Sequence, residues 1–226
     1  MTCVADPALT PRAEQTRAAI TEAALELFRE RGYEATTMRA IAERAGVSTG
    51  NAYYYFGSKE ELIQEFYTRN HVEHVAASRP VLETESDFTA RLRGTLRALI
   101  DVMAPYHAFA AAFYKHAAEP TSPLSPFSNK SSPAREASIA LFREVVDGSN
   151  ARMSRELRGR MPELLWLASM GVILYWVHDT SPGCARTYRL IDGAVPVIGQ
   201  LVAASRIPVL RSTVRDITTV IDGLRS

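Results

Sequence analysis

Ser48-Thr49-Gly50-Asn51 sets three short polar side chains around a glycine, and four rings follow at once: Tyr53, Tyr54, Tyr55 and Phe56. Short hydroxyl and amide groups can hydrogen-bond to phosphates or base edges while letting a partner's surface come close. Tyrosine adds a ring that packs and a hydroxyl that can reach a phosphate. A core would account for the rings but not the polar opening. A solvated loop would account for the opening but not the rings. A helix separates the two demands by face, since Ala52 and Phe56 stand four apart and share one side.

Other residue types offer less chemistry. His71 and His74 stand three apart, a spacing that allows two metal ligands on one face. No Cys or carboxylate cluster accompanies them, and the other histidines, such as His107 and His116, stand elsewhere. Hydrogen-bonding histidines are therefore expected, with no metal site and no cofactor. Cys3 and Cys184 are the two cysteines, too few for a disulfide framework, as in a reducing cytoplasm. The chain has no Gly-rich phosphate loop, no GxSxG, no HExxH and no CxxC. His178 and Asp179 are adjacent, a poor acid–base geometry, so an enzyme on a helical scaffold is the remote alternative.

The elements that position these residues are helical. Hydrophobic residues make up 46% of the 226-residue chain, ordinary for a folded protein. Ile20, Ala24, Leu27 and Phe28 form one helical stripe, which Gly32 ends. Thr36-Thr37 can cap a second helix, Met38–Ala45, and Gly46 stops it. A third helix runs from Ser48 or Thr49 through Phe56. Ser58 to Glu61 reads as a capping box opening a fourth, extending to about Val75–Ser78.

Beyond Pro80, helices are expected over Phe88–Met103, Tyr106–Ala118, Ala134–Val146, Ala151–Arg160, Pro162–His178 and Arg186–Ala204. A last one starts at Pro208, with Leu210, Val214, Ile217, Ile221 and Leu224 in step. Glu119–Pro133 is Ser/Pro-rich and reads as a long surface loop. No convincing strand alternation and no repeat is present. The fold class is all-α, with residues 1–11 a disordered tail, 12–58 a helix-turn-helix domain and 59–226 a larger helical domain.

Two short helices joined by a tight glycine-containing turn are the signature of a helix-turn-helix. Its second helix lies in the DNA major groove with its first residues on base edges. That role asks for small polar residues at the start, which Ser48–Asn51 supply, and an apolar face behind, which Ala52 and Phe56 supply. Charge does not advertise the partner. The whole chain carries +1, and residues 1–58 hold six arginines against seven acidic residues, so the case rests on placement.

Residues 12–62 resemble the DNA-binding domain of the tetracycline-repressor (TetR) family of bacterial transcriptional regulators. Ala24–Tyr33 (ALELFRERGY), Thr36-Thr37, Ile41–Val47 (IAERAGV) and Ser48–Leu62 (STGNAYYYFGSKEEL) carry the resemblance in order. It implies that Thr37 binds phosphate and that Arg39 reaches a base edge or phosphate. It implies that Thr49, Gly50 and Asn51 lie against base edges, with Ser48 opening that DNA-binding face, and that Tyr53 touches a phosphate or thymine methyl. Tyr54 and Tyr55 flank that contact, and Lys59 pairs with phosphate. Tyr55 stands where many members have His, and Ala52 where many have Leu.

The resemblance also implies a homodimer, double-stranded operator DNA and a small-molecule effector as partners. Leu164–Val177 is apolar on all sides and too short to cross a membrane, so it needs cover all round. Helices near 163–178 and 186–204 are expected to pair with their copies in a four-helix bundle. Rings on neighbouring helices suggest a pocket for a largely apolar effector: Phe66, Tyr67, Tyr106, Phe109, Phe113, Tyr114, Trp166 and Tyr175, with Met170. No signal peptide is visible at the start, so a cytoplasmic regulator is expected. A repressor released from a palindromic operator is the first reading. An activator, or a ligand-independent regulator of the same fold, is the second.

Overall fold

The computed structural model describes residues 10–119 and 121–205, and among them every regular element is a helix. In chain order these are α1 (Pro11–Arg31), α2 (Met38–Arg44), α3 (Thr49–Tyr55), α4 (Lys59–Thr84) and α5 (Phe88–Met103). They continue with α6 (His107–Ala117), α7 (Ser132–Asp147), α8 (Arg155–Val177) and α9 (Ala185–Ala204). Cys3 and the helix expected from Pro208 lie outside the described residues. The chain divides into two compact units: the described part of Met1–Thr68 with Ala108–Ser131, and Arg69–His107 with the described part of Ser132–Ser226. Two of the divisions fall inside α4 and α6, and the third at the start of α7.

The first unit packs around a stack of rings. Ile20, Leu25, Leu27 and Phe28 of α1, Ile41 of α2, Ala52 of α3 and Leu62 and Ile63 of α4 are almost wholly buried. Phe28 stacks on Phe109 at 5.8 Å and Phe109 on Phe113 at 5.3 Å. Phe66 meets Phe109 edge-on at 5.9 Å, and Tyr33 meets Phe113 edge-on at 5.4 Å. Each such pair adds about 0.5–1.5 kcal/mol to the area it buries.

The segment after α6, expected as a surface loop, is part of this packing. Leu124 and Ser131 are buried. Gln64 Nε2 donates to the Pro123 carbonyl and to Ser131 Oγ, and the Tyr67 hydroxyl donates to the Leu124 carbonyl. Serine and proline composition marked a segment without helix. It could not show that two α4 side chains would satisfy the segment's backbone.

The second unit joins the rest of α4, α5 and α7–α9. α4 runs past its expected end and through Pro80 to Thr84. A proline forfeits one helical hydrogen bond, but Ser78 and Leu82 on either side are buried and hold the helix. Its C-terminal end is tied by Arg91, itself only 5% exposed. One Nη of Arg91 donates to the Leu82 and Glu85 carbonyls; Nε and the other Nη donate to the Val145 and Glu144 carbonyls. A single guanidinium thus covers the carbonyl ends of α4 and α7, where helix dipoles favour a cation. A Cβ on Gly148 would stand 2.2 Å from that guanidinium, so a side chain there would displace it from its carbonyl partners.

The two helices expected either side of Pro162 are one. α8 starts at Arg155, capped by Ser154, and carries Pro162 buried within it. Residues 151–154 are not helical. The turn into α9 is pinned by Asp179. Its carboxylate accepts from the backbone N–H and hydroxyl of both Ser181 (2.9 and 2.6 Å) and Thr187 (2.8 and 2.8 Å). Burial alone would raise this carboxyl's pKa, but the four hydrogen bonds outweigh it and hold it well below the usual range.

Candidate nucleic-acid interface

α2 and α3 form a helix-turn-helix in which each short helix is capped by its own hydroxyl. Thr37 Oγ1 accepts from the Ala40 N–H at 3.2 Å, and Ser48 Oγ from the Asn51 N–H at 3.1 Å. Both hydroxyls retain their hydrogen to donate outward, and both residues are exposed. Between the helices Gly46 takes a φ of +68°, a left-handed conformation that suits glycine. The Val47 N–H closes the turn on the Ala42 carbonyl.

The apolar face behaves as its spacing predicts. Ala52 is fully buried and Phe56 is 1% exposed, as are Ile41 and Ala42 of α2. Phe56 lies under the Arg17 guanidinium at 4.7 Å, and Arg17 also pairs with Glu65 of α4. Arg44, at the end of α2, bridges Glu26 at 3.0 Å and Glu30 at 2.8 Å on α1. Neither arginine was singled out from the sequence. The available signal was Glu26 and Glu30 four apart on one helix face, which makes a two-toothed acceptor.

The opposite face is open. Thr37, Arg39, Ser48, Thr49, Gly50 and Asn51 are all exposed, and Arg39 has no ion-pair partner among the described residues. Tyr53 is 52% exposed and Tyr54 80%; Tyr55 is half-buried, its ring edge-on to Tyr54 at 5.2 Å. The three tyrosines therefore grade from outward to packed. A Cβ built on Gly50 meets nothing within 4 Å. Nothing inside the molecule requires glycine there, although glycine weakens a helix by about 1 kcal/mol relative to alanine.

Lys59 opens α4 with an internal role. Its ammonium donates to the Tyr33 carbonyl at 2.8 Å and sits 4.4 Å from the centre of the Tyr33 ring. Two of its N–H groups remain for other partners. The Tyr33 hydroxyl donates to Glu60; burial and that carboxylate raise its pKa. The predicted capping box closes one residue early. Ser58 Oγ accepts from the Glu61 N–H, but the Glu61 carboxylate reaches back to the Gly57 N–H at 2.8 Å.

The expected ligand rings divide between the units. Phe66, Phe109 and Phe113 come together in the stack of the first unit, with Tyr67 and Tyr114 half-buried. Tyr106, Trp166, Met170 and Tyr175 belong to the second unit. There the Tyr106 hydroxyl accepts from Arg69 at 2.6 Å, Trp166 is buried, Met170 is half-buried and Tyr175 is 42% exposed. Three of the histidines take backbone or carboxylate partners, whereas the buried Nδ1 of His71 has no hydrogen-bond partner among the described residues. His74 Nε2 lies 2.9 Å from the Thr95 carbonyl, His107 Nε2 lies 2.8 Å from the Trp176 carbonyl, and His116 pairs with Glu34.

Comparison with known proteins places this architecture. Residues 20–66 match the family described as bacterial regulatory proteins, tetR family. Residues 91–219 match the tetracyclin repressor-like C-terminal domain. The transcriptional repressor KstR2 of Mycobacterium tuberculosis is 34% identical over 93 residues, 41% of this chain and 46% of that protein. The transcriptional activator FasR of Mycolicibacterium smegmatis is 41% identical over 91 residues, 40% of this chain and 41% of that protein. The matches thus span less than half the length of these relatives. A TetR transcriptional regulator from Nitrosomonas europaea superposes with a TM-score of 0.64 at 17% identity, covering 81% of this chain and 97% of that one, a likeness of fold. With both family regions matched in order, the second over more than half of the chain, the protein belongs to the TetR family of bacterial transcriptional regulators.

Proposed function

We propose that this protein is a homodimeric, DNA-binding repressor of the bacterial cytoplasm. Two copies of α3 would read successive major grooves of a palindromic operator, about one helical turn apart. The observation that carries this is Gly50. It sits at the exposed start of α3 between Thr49 and Asn51, with no internal neighbour that a side chain would strike. A close external surface explains the missing side chain. The capping hydroxyls of Thr37 and Ser48 can donate to phosphates, Arg39 can reach a guanine edge or phosphate, and Tyr53 can touch a phosphate or thymine methyl. Tyr54, Tyr55 and Lys59 complete the proposed surface.

α8 and α9 support the dimer. Leu174 and Tyr175 of α8, and Leu190, Val197 and Leu201 of α9, are exposed. Leu190, Val197 and Leu201 stand seven and four apart, along one stripe of α9. Gly171 and Gly193 lie exposed in these helices, and a Cβ on either would meet nothing within 4 Å. Such gaps let a partner helix approach closely. A largely apolar effector in the second unit would favour a conformation with the two reading heads misplaced for adjacent grooves. α4, which belongs to both units, would carry the movement. An effector with equal affinity for both conformations would shift nothing.

The test is a mobility-shift titration of the purified protein on its own promoter region at moderate salt. Saturable binding that is lost in Arg39→Ala, with the dimer intact, is expected; absence of binding would refute the reading. FasR is named as an activator, so the sign of regulation needs its own readout. In-vitro transcription from the bound promoter should fall on adding the protein if it represses and rise if it activates.

A further inference from the structure

We infer that Arg17 is a positioning residue for DNA reading, one that fixes the orientation of α3 against α4 without touching DNA itself. The inference rests on the proposed reading of α3 as the helix that enters the major groove. α3 has few anchors. Of its own residues only Ala52 is buried, and Phe56 at its C-cap is the next fixed point. The two stand four apart on one side of the helix. Contacts in a single line locate a helix but hold its roll weakly.

Arg17 supplies a further hold. Its guanidinium lies over the Phe56 ring at 4.7 Å, and one Nη donates to the Glu65 carboxylate at 2.5 Å. A planar guanidinium can do both at once, its face on a ring and its edge on a carboxylate, which a lysine ammonium cannot. The side chain thus joins three elements of the first unit: α1, where it is rooted, the C-cap of α3, and the second turn of α4. The other polar ties at the start of α4 go elsewhere. Lys59 and Glu60 hold Tyr33, between α1 and α2, and Glu61 holds the Gly57 N–H. Arg17 is the polar link between the Phe56 ring and α4.

The pairing argues against a direct phosphate contact. Glu65 balances the charge of Arg17 and sets beside it a carboxylate that repels phosphate. Arg39, exposed and without an ion-pair partner among the described residues, is free for that role. Glu65 then gives the inference a sign. As a mere acidic group on a DNA-binding head, it would strengthen binding when neutralised, because repulsion would fall. As half of a tether that orients α3, it must weaken binding when neutralised.

The test is a mobility-shift titration of the full chain on its own promoter region, across a range of salt concentrations. It compares the parent with Arg17→Met, Glu65→Gln and the double variant, each with its helicity checked by circular dichroism. Each single variant should weaken binding by at least about fivefold, and the double no more than either single, since both break one tether. Arg17→Lys, which keeps the ion pair but loses the stacked plane, should recover part of the loss. The dependence of binding on salt should keep the parent's slope. A slope lower by about 0.9 in Arg17→Met, the mark of one lost phosphate contact, would overturn the inference. Should Arg17→Met not fold, Glu65→Gln decides alone, since that side chain is partly exposed. Unchanged or tighter binding by Glu65→Gln, or single effects that multiply in the double variant, would overturn the inference and leave the DNA-binding reading standing. A parent that binds no promoter DNA would refute both.

Discussion

At Gly50 the proposed DNA contact and helix stability pull in opposite directions. Helix α3 would be firmer with alanine there, since nothing crowds the position and alanine costs less chain entropy. Gly50→Ala is expected to raise unfolding stability by about 0.5–1 kcal/mol while weakening operator binding by at least about tenfold. Urea denaturation and a mobility shift on the same preparation read the two effects. If stability rises and binding holds, α3 does not approach DNA through this residue. Ser48 and Thr37 differ in kind, because each hydroxyl already caps its helix. Their alanine variants would lose fold stability and binding together, and so discriminate less.

Among the elements of the second unit, one buried side chain ties two helix ends together. Arg91 donates to four carbonyls at the ends of α4 and α7. Burial lowers its pKa, but arginine's intrinsic value is so high that it stays charged. Arg91→Met would keep the stem and strand the four carbonyls, a loss of about 3 kcal/mol or more in chemical denaturation. Arg91→Lys should recover only part, since one ammonium has three hydrogens and no planar fork. A Lys variant as stable as the parent would show that charge alone, and not the fork, satisfies those ends.

Two properties belong to the whole molecule. The first is its acid response. Burial holds the His74 pKa down to about 4, against about 6.5 in an unfolded chain. The unfolded state therefore takes up a proton below pH 6.5 that the native state refuses until about pH 4. Stability is complete above pH 6.5 and falls across that window, by about 3 kcal/mol from this group. His74→Gln should flatten the urea midpoint between pH 6.5 and 4; an unchanged slope would assign it to other groups. Asp179, with its lowered pKa, acts in the same direction at more acid pH, below about 4. The second property is assembly. Val197→Glu places a charge on the exposed apolar stripe of α9 and should turn a dimer into a monomer in sedimentation velocity without loss of helicity. A dimer that survives it would move the interface elsewhere.

Much of this was legible in the sequence, for reasons that are local. Thr37, Gly46, Ser48 and Phe56 define α2, the turn and α3 through capping, left-handed backbone and helical spacing, interactions that close within a few residues. Hence the helix-turn-helix and its exposed polar face could be read directly, along with the family. Other outcomes depended on partners distant in the chain. Pro80 and Pro162 read as helix ends, but buried neighbours carried α4 and α8 through them. Phe66, Phe109 and Phe113 read as rings of a pocket; their burial against Phe28 and Tyr33 places them in a packed stack. The left-handed Cys184 and the four hydrogen bonds on Asp179 have no signature in residue order at all. Sequence by itself determined most of the elements and the exposed polar face of α3, because caps, turns and periodicity are short-range. Which buried groups find partners was decided only by the tertiary structure, because burial and hydrogen-bond satisfaction depend on residues brought together from across the chain.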